Sequence, residues 1–538
     1  MKKNKFLIIF WIAFYLTIFA ILIHNSFSYL DPDLGWHLKV GEQIVKEKAV
    51  PTLDYYDYTL EGQTWVDHEW LSNIFVYWIY SKSGYVSLNI IFAFIVCITL
   101  ITQNIFARKY ILSGKSGTIF IVLFQALGII ASLPHFGVRI QELSVLNLLL
   151  LLFIIGHYNK NLNIKILFLI FPLFYLWSSL HGGFLIGIFV MFFWLFIKLV
   201  EIILEKFKYF SWVNYGNKLT LRQLAVFLFF ALGGIIATLI TPYGFKLYGF
   251  LNTYRNDFYL KQIQEWLPFY YLPINYWQVL FESILISIIL LILYYSLKKK
   301  SYKIPLWQIA LSLFFLILAL KSKRHFPLLF ISSFPLIINF LSFLFHDSKS
   351  NFFNKSWSKY FLLIKIYLII GLLAIAATKF LNTKITSDPF ISFKDSYPYN
   401  AVNFLKNHLE YNNLKFFSEY NWGGYLIWML PEKKLFIDGR LSQQPFAGHT
   451  LLEEYLEFNK KERVKVKISQ YNIEQFLIYN KSPRIKLNWF EKYFLYLNEE
   501  KINDQKNYLK EYLNNSLEWS LVYNDDTSEI YVKNRYGL

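Results

Sequence analysis

Cysteine is almost absent from this chain, and that scarcity excludes several classes of protein. The single cysteine, Cys97, lies inside an apolar run. One thiol cannot form an internal disulfide framework, and it cannot supply a thiolate metal site by itself. We therefore expect neither a disulfide-stabilised secreted domain nor an activity that depends on thiol redox chemistry.

Acidic residues are also scarce relative to basic ones. The chain has 36 Asp and Glu against 54 Lys and Arg, a formal charge of +18. The basic residues stand in short clusters between apolar runs and do not cover one soluble face. They therefore indicate which loops of a membrane protein are cytoplasmic, and we predict no nucleic-acid partner. With 55% hydrophobic and 20% aromatic residues and a mean hydropathy of +0.35, the composition is that of a membrane protein.

Long apolar runs are what the chain has in abundance. Runs long enough, or nearly so, to cross a hydrocarbon layer of ~30 Å recur about eleven times before residue 380. The first follows the basic Met1–Lys5 segment, and no small-residue cleavage site comes after it, so we interpret it as an uncleaved span. The sequence predicts a polytopic α-helical membrane protein with about 11 transmembrane helices. The runs are residues 6–23, 86–106, 117–133, 143–156, 164–180, 184–200, 224–239, 277–293, 304–320, 326–345 and 360–377.

The loops between these runs carry the topology signal. If Met1–Lys5 is cytoplasmic, every second loop is cytoplasmic too, and each of those loops is basic. An odd number of crossings then places the hydrophilic tail outside, with the long first loop. We therefore predict a multi-pass protein of the cell (plasma or inner) membrane, with a transmembrane domain over residues 1–379, a large external loop at 25–85 and an extracytoplasmic domain over 380–538. The basic loops carry Arg108, Lys109 and Lys115, then Lys160, then Lys206 to Arg222, then Lys298 to Lys303, then Lys349 to Lys359.

The tail has the pattern of a small α/β domain. Short apolar stretches typical of strands alternate with segments of helical spacing. The helical segments are Ala401 to Leu409 and Gln505 to Leu513, and the strand-like stretches are Phe416 to Tyr420, Leu435 to Ile437, Phe476 to Tyr479, Trp519 to Tyr523 and Ile530 to Val532.

Two carboxylates directly after the first span are the leading catalytic candidates. Asp31 and Asp33 are two residues apart, a spacing at which they can share a divalent cation or at which one can act as a general base. The alternative is a solvated Asp-Pro turn. Because Trp36 and His37 follow at once and start a segment of helical spacing, we favour a functional site.

Further ionisable residues lie on the predicted external loops. Asp67, His68 and Glu69 stand between two tryptophans, a pattern that suits either a site or the start of an interfacial helix, and their spacing does not match a zinc motif. His181 begins a His-Gly-Gly sequence between two spans, which suits either a site or simply a tight turn. Glu265 lies on a long loop and is either part of the site or a solvated acid.

A basic cluster on the external side departs from the positive-inside pattern. Lys323, Arg324 and His325 stand where few positive charges are expected, which indicates an anionic partner. Arg139, on another external loop, offers a second guanidinium fork for phosphate. A lipid headgroup is the alternative occupant.

Together these residues resemble the GT-C superfamily of membrane glycosyltransferases. The string from Asp31 to Trp70, with Trp177 to Gly183, Pro242 to Gly244 and Lys323 to His325, also looks like an uncharacterised bacterial branch of such proteins. In the tail, Asn421 to Tyr425 and Leu435 to Arg440 are similar to the region around the tryptophan-rich acceptor motif of oligosaccharyltransferases, which adds Trp422, Tyr425, Asp438 and Arg440 as site candidates. The aspartate central to that motif is absent, so recognition of an Asn-containing sequon is not carried over.

The resemblance implies an inverting transfer of a sugar from a polyprenyl phosphate or pyrophosphate donor. Asp33 is the first candidate for the base or metal ligand and Asp31 the second, with Arg324, Lys323, His325 and Arg139 on the donor phosphate. Some branches of the superfamily use Mg²⁺ or Mn²⁺ and others no metal, so the cofactor stays open. The partners implied are the lipid-linked donor, membrane lipids and an acceptor that is a glycan, a lipid or a protein. The alternatives are a transporter or a non-catalytic scaffold in envelope polysaccharide assembly.

Overall fold

Helices form most of the described chain. A computed structural model describes residues 2–110, 118–206, 213–214, 219–299, 302–347, 357–504 and 506–534. Up to residue 381 the helices are α1 (Lys2–Ser26), α2 (Leu34–Glu47), α3 (Trp70–Tyr110), α4 (Thr118–Ser132), α5 (Gln141–Asn161), α6 (Ile170–Leu180), α7 (Phe184–Lys206), α8 (Leu221–Thr238), α9 (Lys246–Thr253), α10 (Asp257–Gln262), α11 (Tyr276–Leu293), α12 (Leu306–Lys321), α13 (Phe326–Asp347) and α14 (Trp357–Leu381).

The remainder of the described chain mixes short helices with strands. The helices are α15 (Pro389–Ser392), α16 (Tyr399–Asn407), α17 (Gly423–Met429), α18 (Leu451–Leu456), α19 (Val464–Tyr471), α20 (Trp489–Tyr493), α21 (Glu499–Asn503) and α22 (Tyr508–Asn515). The strands of the whole chain are β1 (Val213–Asn214), β2 (Ile304–Pro305), β3 (Phe416–Ser418), β4 (Pro445–Phe446), β5 (His449–Thr450), β6 (Gln475–Tyr479), β7 (Trp519–Asn524) and β8 (Ser528–Lys533).

Eleven helical segments of the described chain correspond to the predicted apolar runs. Seven are long and apolar enough to cross a membrane, namely Phe6–Ser26, Trp70–Lys109, Gln141–Asn161, Phe184–Lys206, Leu221–Thr238, Tyr276–Lys298 and Lys323–Leu344. Four are shorter, namely Phe120–His135, Ile164–Leu180, Leu306–Lys321 and Ile366–Leu381. The chain is thus a multi-pass membrane protein, while the number of spans and the side of each loop stay predictions. Lys115 and the greater part of Lys349 to Lys359 lie outside the described residues.

The chain divides into two compact units. Unit 1 comprises Met1–Tyr29, Ser87–Gly244 and Asn275–Ile385, and unit 2 comprises Leu30–Val86, Phe245–Ile274 and Thr386–Leu538. The division within α3 falls beside Gly84, where φ is 73° and the helical backbone is broken. Glycine suits this position because it adopts a positive φ without steric cost.

Unit 1 is a bundle of apolar helices. Its first helix packs along α14, where the hydroxyl of Thr17 donates to the carbonyl of Leu372 at 2.9 Å. The pair α6 and α8 approach closely because α8 has glycines at the contact: a Cβ on Gly233 would lie 2.2 Å from the ring of Phe171. Small residues at helix contacts allow such close packing in a bilayer.

Unit 2 contains a four-stranded sheet of order β3-β6-β8-β7. The first pair is parallel and the other two are antiparallel, and most side chains of β3, β6 and β8 are buried. Four of the five strand-like stretches in the tail contribute these strands. The fifth, at Leu435, instead pairs with the first loop: its N–H donates to the carbonyl of Tyr56 at 2.8 Å, and the N–H of Tyr58 donates to its carbonyl at 3.0 Å.

Candidate active site

The turn at Asp31–Asp33 begins α2 and sets the positions of both carboxylates. The backbone N–H of Asp33 donates to Oδ1 of Asp31 at 2.8 Å, so the Asp31 side chain closes the turn. Asp33 is the N-cap residue of α2, yet its carboxylate makes no capping hydrogen bond. The Asp33 carboxylate is therefore not used to satisfy the helix terminus.

Glycines bring this turn against the tail within unit 2. A Cβ on Gly35 would lie 2.1 Å from the carbonyl oxygen of Gly424, and one on Gly424 would lie 2.3 Å from that of Pro32. A Cβ on Gly439 would lie 2.8 Å from Oδ1 of Asp33. The backbone of Gly439 thus forms one wall beside the Asp33 carboxylate.

Burial and acidic neighbours together set the electrostatics at Asp33. Burial raises the pKa of Asp33 to about 7, and Asp31, Glu69 and Glu265 add to the rise through like-charge repulsion. The indole of Trp36 offsets part of the increase. Carboxyl groups from two segments of unit 2, residues 30–86 and 245–274, therefore act on Asp33, and Glu265 is close enough to do so.

A chain of hydrogen bonds runs from Asp67 to His37. Oδ2 of Asp67 accepts from the amide of Asn73 at 2.8 Å, and Oδ1 of Asn73 lies 2.6 Å from Nδ1 of His37. All three side chains are buried. Burial raises the pKa of Asp67 to about 6 and lowers the pKa of His37. Because the Asn73 amide nitrogen faces Asp67, its oxygen faces His37, and Nδ1 of His37 is the donor.

His68 and Glu69 lie beside each other at the start of α3. Nε2 of His68 is 3.3 Å from Oε1 of Glu69. The His68 ring also contacts Phe250 and Tyr254, with ring centroids 5.3 Å and 5.8 Å away. These aromatic residues come from the segment that carries Glu265, so that segment is packed against the first loop.

Asp438 and Arg440 belong to a fully buried charge cluster. The guanidinium binds both carboxylate oxygens of Asp438 through Nε at 3.1 Å and 3.0 Å, and Nη2 lies 2.9 Å from Oδ1 of Asp54. Its central carbon lies 4.5 Å from the ring centroids of both Tyr56 and Trp65. This cluster fastens the residue before and the residue after Gly439, and so fixes the wall beside Asp33.

Asp57 gives this cluster a surplus of negative charge. It is fully buried, and burial together with Asp438 and Asp54 raises its pKa well above the usual value. Asp438 and Asp54 thus contact the guanidinium, and Asp57 adds a third carboxyl group to the same buried cluster, which favours its protonated form.

Trp422 and Tyr425 lie in the core of unit 2, with 1% of each residue exposed. The indole N–H of Trp422 donates to the carbonyl of Ser396 at 3.0 Å, and its ring lies 4.3 Å from that of Tyr479. Tyr425 packs against Phe390 and Tyr397. In this chain the tryptophan-containing motif therefore builds the packing around Gly423 and Gly424.

The basic candidates lie in unit 1, at ends of its apolar helices. Lys323, Arg324 and His325 form a 3₁₀ turn between α12 and α13, with Lys323 buried and the other two half-buried. Arg139 precedes α5, is buried, and has its guanidinium carbon 5.1 Å from the ring centroid of Tyr29. His181 ends α6 and accepts a hydrogen bond from the backbone of Gly183.

Several residues of these clusters are not apparent from the sequence. Asn73, Asp54 and Asp57 belong to no motif, and Gly439 was included in the stretch from Leu435 to Arg440 without any sign of its contact with Asp33. The two glycines at 423 and 424 were visible only as the place where an expected aspartate is missing.

The comparisons with known proteins agree with this architecture. An Archaeoglobus fulgidus oligosaccharyltransferase, solved with a tethered acceptor peptide containing an NVT sequon, matches with a TM-score of 0.53 and 12% identity over 88% of this chain and 69% of that one. The archaeal oligosaccharyltransferase AglB from Archaeoglobus fulgidus, in complex with an inhibitory peptide and a dolichol-phosphate, matches with a TM-score of 0.50 and 11% identity over 89% of this chain and 70% of that one. The chain has a GT-C-type fold. The predicted resemblance is thereby confirmed for the fold.

The comparisons of the sequence itself found no relative. No family model matches the chain, and no curated protein sequence matches it either. Likewise, within the described part of the chain no three His, Cys, Asp or Glu side chains stand close enough to hold one metal ion. The hard oxygen donors around Asp33 nevertheless suit Mg²⁺ or Mn²⁺, which proteins often bind with one or two carboxylates plus substrate phosphates.

Proposed function

We propose that this protein is a membrane glycosyltransferase that transfers a sugar from a polyprenyl phosphate or pyrophosphate to an envelope acceptor on the non-cytoplasmic face. The observation that carries the proposal is the group of four interacting carboxyls at Asp33, built into a GT-C-type fold. Neighbouring carboxylates disfavour each other's ionisation, so bringing them together has a cost in stability. Groups with pKa values perturbed in this way are found most often at functional sites.

Asp33 is the proposed general base. Its carboxylate takes the proton from the acceptor hydroxyl while that oxygen attacks the anomeric carbon of the sugar. The bond from the anomeric carbon to the phosphate oxygen breaks, and the configuration inverts. A raised pKa makes the Asp33 carboxylate a stronger base than an exposed aspartate. Asp31 fixes the turn that presents it.

The basic residues of unit 1 are proposed to bind the departing phosphate. Arg324 and Arg139 offer planar guanidinium groups that match phosphate oxygens, and Lys323 and His325 add further donors on the same turn as Arg324. Donors placed where negative charge develops lower the barrier for departure.

Asp31 and Asp33 are the residues that would hold Mg²⁺ or Mn²⁺. When bound there, the ion supplies positive charge to the donor phosphate. The acidic neighbours Asp31, Glu69 and Glu265, which add to the effect of burial in raising the pKa of Asp33, support this role, since a cation would neutralise their charge.

The proposed donor class follows from the neighbour that is in complex with a dolichol-phosphate. The acceptor is a glycan, a lipid or a protein. An Asn-containing sequon is not proposed, because Gly423 and Gly424 occupy the region of the missing aspartate and are used for packing.

The decisive experiment measures sugar release from radiolabelled polyprenyl phosphate and pyrophosphate sugars by the purified protein in lipid bilayers. We expect turnover with one donor class, and a loss of at least about a hundredfold in Asp33→Asn. Asp395→Asn is the matched control, because Asp395 is an exposed acid of the same unit. If no donor turns over while the protein is shown to be folded, the scaffold or transporter reading replaces the enzyme.

A further inference from the structure

An exposed aromatic surface lies on α20 and on the turn that follows it. Six of the eight residues from 489 to 496 are large apolar or aromatic side chains that are between 41% and 87% exposed. Two pairs of their rings are in contact, with 5.1 Å between the centroids of Phe490 and Phe494 and 5.3 Å between those of Trp489 and Phe494. Single exposed apolar residues are ordinary, whereas a contiguous group of them marks an interaction surface. The six residues are Trp489, Phe490, Tyr493, Phe494, Leu495 and Tyr496.

Basic residues accompany these aromatic side chains. Lys481, Arg484 and Lys486 are exposed in the stretch before α20, and Lys492 on α20 forms an ion pair with Glu499. The one acid between residues 481 and 496 is Glu491, which is buried. Residues 481–496 therefore form a basic-aromatic segment whose exposed side chains include cations and no acid.

The buried Glu491 links this segment to the point where the chain enters a membrane span. Its side chain completes a capping box with Asn488, and its Oε1 lies 3.5 Å from the backbone nitrogen of Ile274. Ile274 is two residues before Tyr276, so the chain separates them by no more than about 7 Å. Tyr276 begins a helix that is long and apolar enough to cross a membrane. The covalent chain thus holds α20 close to the start of that helix.

Aromatic residues also stand where the chain approaches this helix. Tyr270 and Tyr271 are exposed, and their ring centroids are 5.2 Å apart. Trp277, in the first turn of α11, is exposed as well. Tyrosine and tryptophan are enriched at the boundary between the hydrocarbon layer and water. The start of α11, near which α20 is held, therefore has the composition of a membrane interface.

We propose that the basic-aromatic segment lies in the surface of the bilayer, with the aromatic side chains of α20 among the lipid headgroups and with Arg484 and Lys486 on anionic headgroups. Aromatic and basic side chains together are typical of segments that lie in a membrane interface. A protein partner explains the segment less well, because lysine is depleted in protein–protein interfaces. The inference does not depend on the proposed function, since it requires only that the chain spans a membrane.

Fluorescence quenching by spin-labelled lipids tests this position. In the full-length protein with Cys97→Ser, an environment-sensitive fluorophore is attached to Trp489→Cys or to Tyr493→Cys. Nanodiscs of phosphatidylcholine and phosphatidylglycerol hold one copy of the protein. We expect a lipid that carries its spin label close to the headgroup to reduce the emission at least about twofold, and a water-soluble quencher to reduce it less. Leu517→Cys, at an exposed leucine of the same unit outside the segment, is the control and should respond mainly to the water-soluble quencher.

Two results would overturn the inference. Labels on α20 that respond to both quenchers as the Leu517→Cys label does would place the segment in solution. Labels that lipids do not quench, but whose emission changes when a second, unlabelled copy is added to the same vesicles, would make this surface an interface between two copies of the chain.

Exchange of the two cations tests the class of lipid. For the Tyr493→Cys label we expect about twofold more quenching in nanodiscs that contain phosphatidylglycerol than in phosphatidylcholine alone. Arg484→Glu combined with Lys486→Glu should abolish this difference. Lys406→Glu, at an exposed lysine of α16 in the same unit, is the control and should preserve it. A difference that persists in the double variant would contradict the role of Arg484 and Lys486.

Discussion

At the scale of single residues, the two aspartates of the first loop have different surroundings. Asp31 accepts the backbone N–H of Asp33 and closes the turn, whereas the Asp33 carboxylate lies against the backbone of Gly439 and among other acids. This difference supports the proposal that Asp33 is the base and that Asp31 fixes the turn, an order that the spacing of two aspartates could not reveal.

Gly439→Ala should impair the proposed reaction more than it impairs folding. The new Cβ would lie 2.8 Å from Oδ1 of Asp33, so the carboxylate must move. Small displacements of a reacting group reduce rates strongly, and we expect kcat/KM to fall by about tenfold to a hundredfold. Gly249→Ala is the control, because nothing lies within 4 Å of a Cβ at that glycine. Equal rates in the two variants would show that Asp33 does not need this wall.

Asp57→Asn should make the protein more stable at neutral and alkaline pH. In the unfolded chain Asp57 loses its proton near its ordinary pKa of about 4, whereas burial and two nearby acids raise its pKa well above that in the fold. At pH values between the pKa of the unfolded state and that of the folded state, the folded protein holds a proton that the unfolded chain has released. Asp57 therefore lowers the stability of the protein as the pH rises between these two pKa values. Asparagine has no proton to lose.

The melting temperature measured between pH 5.5 and 8.5 tests this effect. We expect Asp57→Asn to melt about 1–3 °C above the wild type at pH 8, with a difference that shrinks as the pH falls. The exposed Asp395→Asn should show no such trend. A variant that is less stable at pH 8 than at pH 5.5, relative to wild type, would contradict a protonated Asp57.

At the scale of elements, the contact of α2 with α17 explains the second of the two consecutive glycines in the tail, whereas the first, Gly423, lies against the backbone of Asp438. Gly35 and Gly424 each place their backbone against the other helix, at distances that exclude any Cβ. The motif that resembles an acceptor-binding sequence thus packs against the turn that carries Asp31 and Asp33. Its similarity to that sequence could be seen from the residues, but its use here could not, because the close approach depends on a helix almost 400 residues away.

Gly424→Ala should destabilise unit 2. The added methyl would lie 2.3 Å from the carbonyl oxygen of Pro32, and a backbone atom cannot move aside as a flexible side chain can. Overpacking of this kind costs about 1–3 kcal/mol, and we expect the melting temperature to fall by roughly 5 °C. Gly249→Ala again serves as the control, and a Gly424→Ala protein that melts with the wild type would show that α2 and α17 are not tightly packed.

At the scale of the whole molecule, the sequence predicts local features better than distant partnerships. Apolar runs marked the helices because hydropathy and length are properties of one segment. Unit 2, by contrast, joins residues 30–86 and 245–274 to the tail, and pairings such as Tyr56 with Leu435 leave no pattern in either segment. The acids at 31, 33 and 69 could be singled out individually, but their approach to Glu265 required the fold.

The last prediction concerns the topology, which decides whether the proposed site faces the non-cytoplasmic side. In a Cys97→Ser background, which removes the one buried thiol, Leu517→Cys places a single cysteine at a site 94% exposed in unit 2. Asn163→Cys places one in the exposed loop between α5 and the run at 164–180, where a cytoplasmic position is predicted. A membrane-impermeant maleimide should label the first variant in right-side-out vesicles and the second only after permeabilisation. The reverse pattern would place unit 2 in the cytoplasm, where the proposed envelope acceptor is not available.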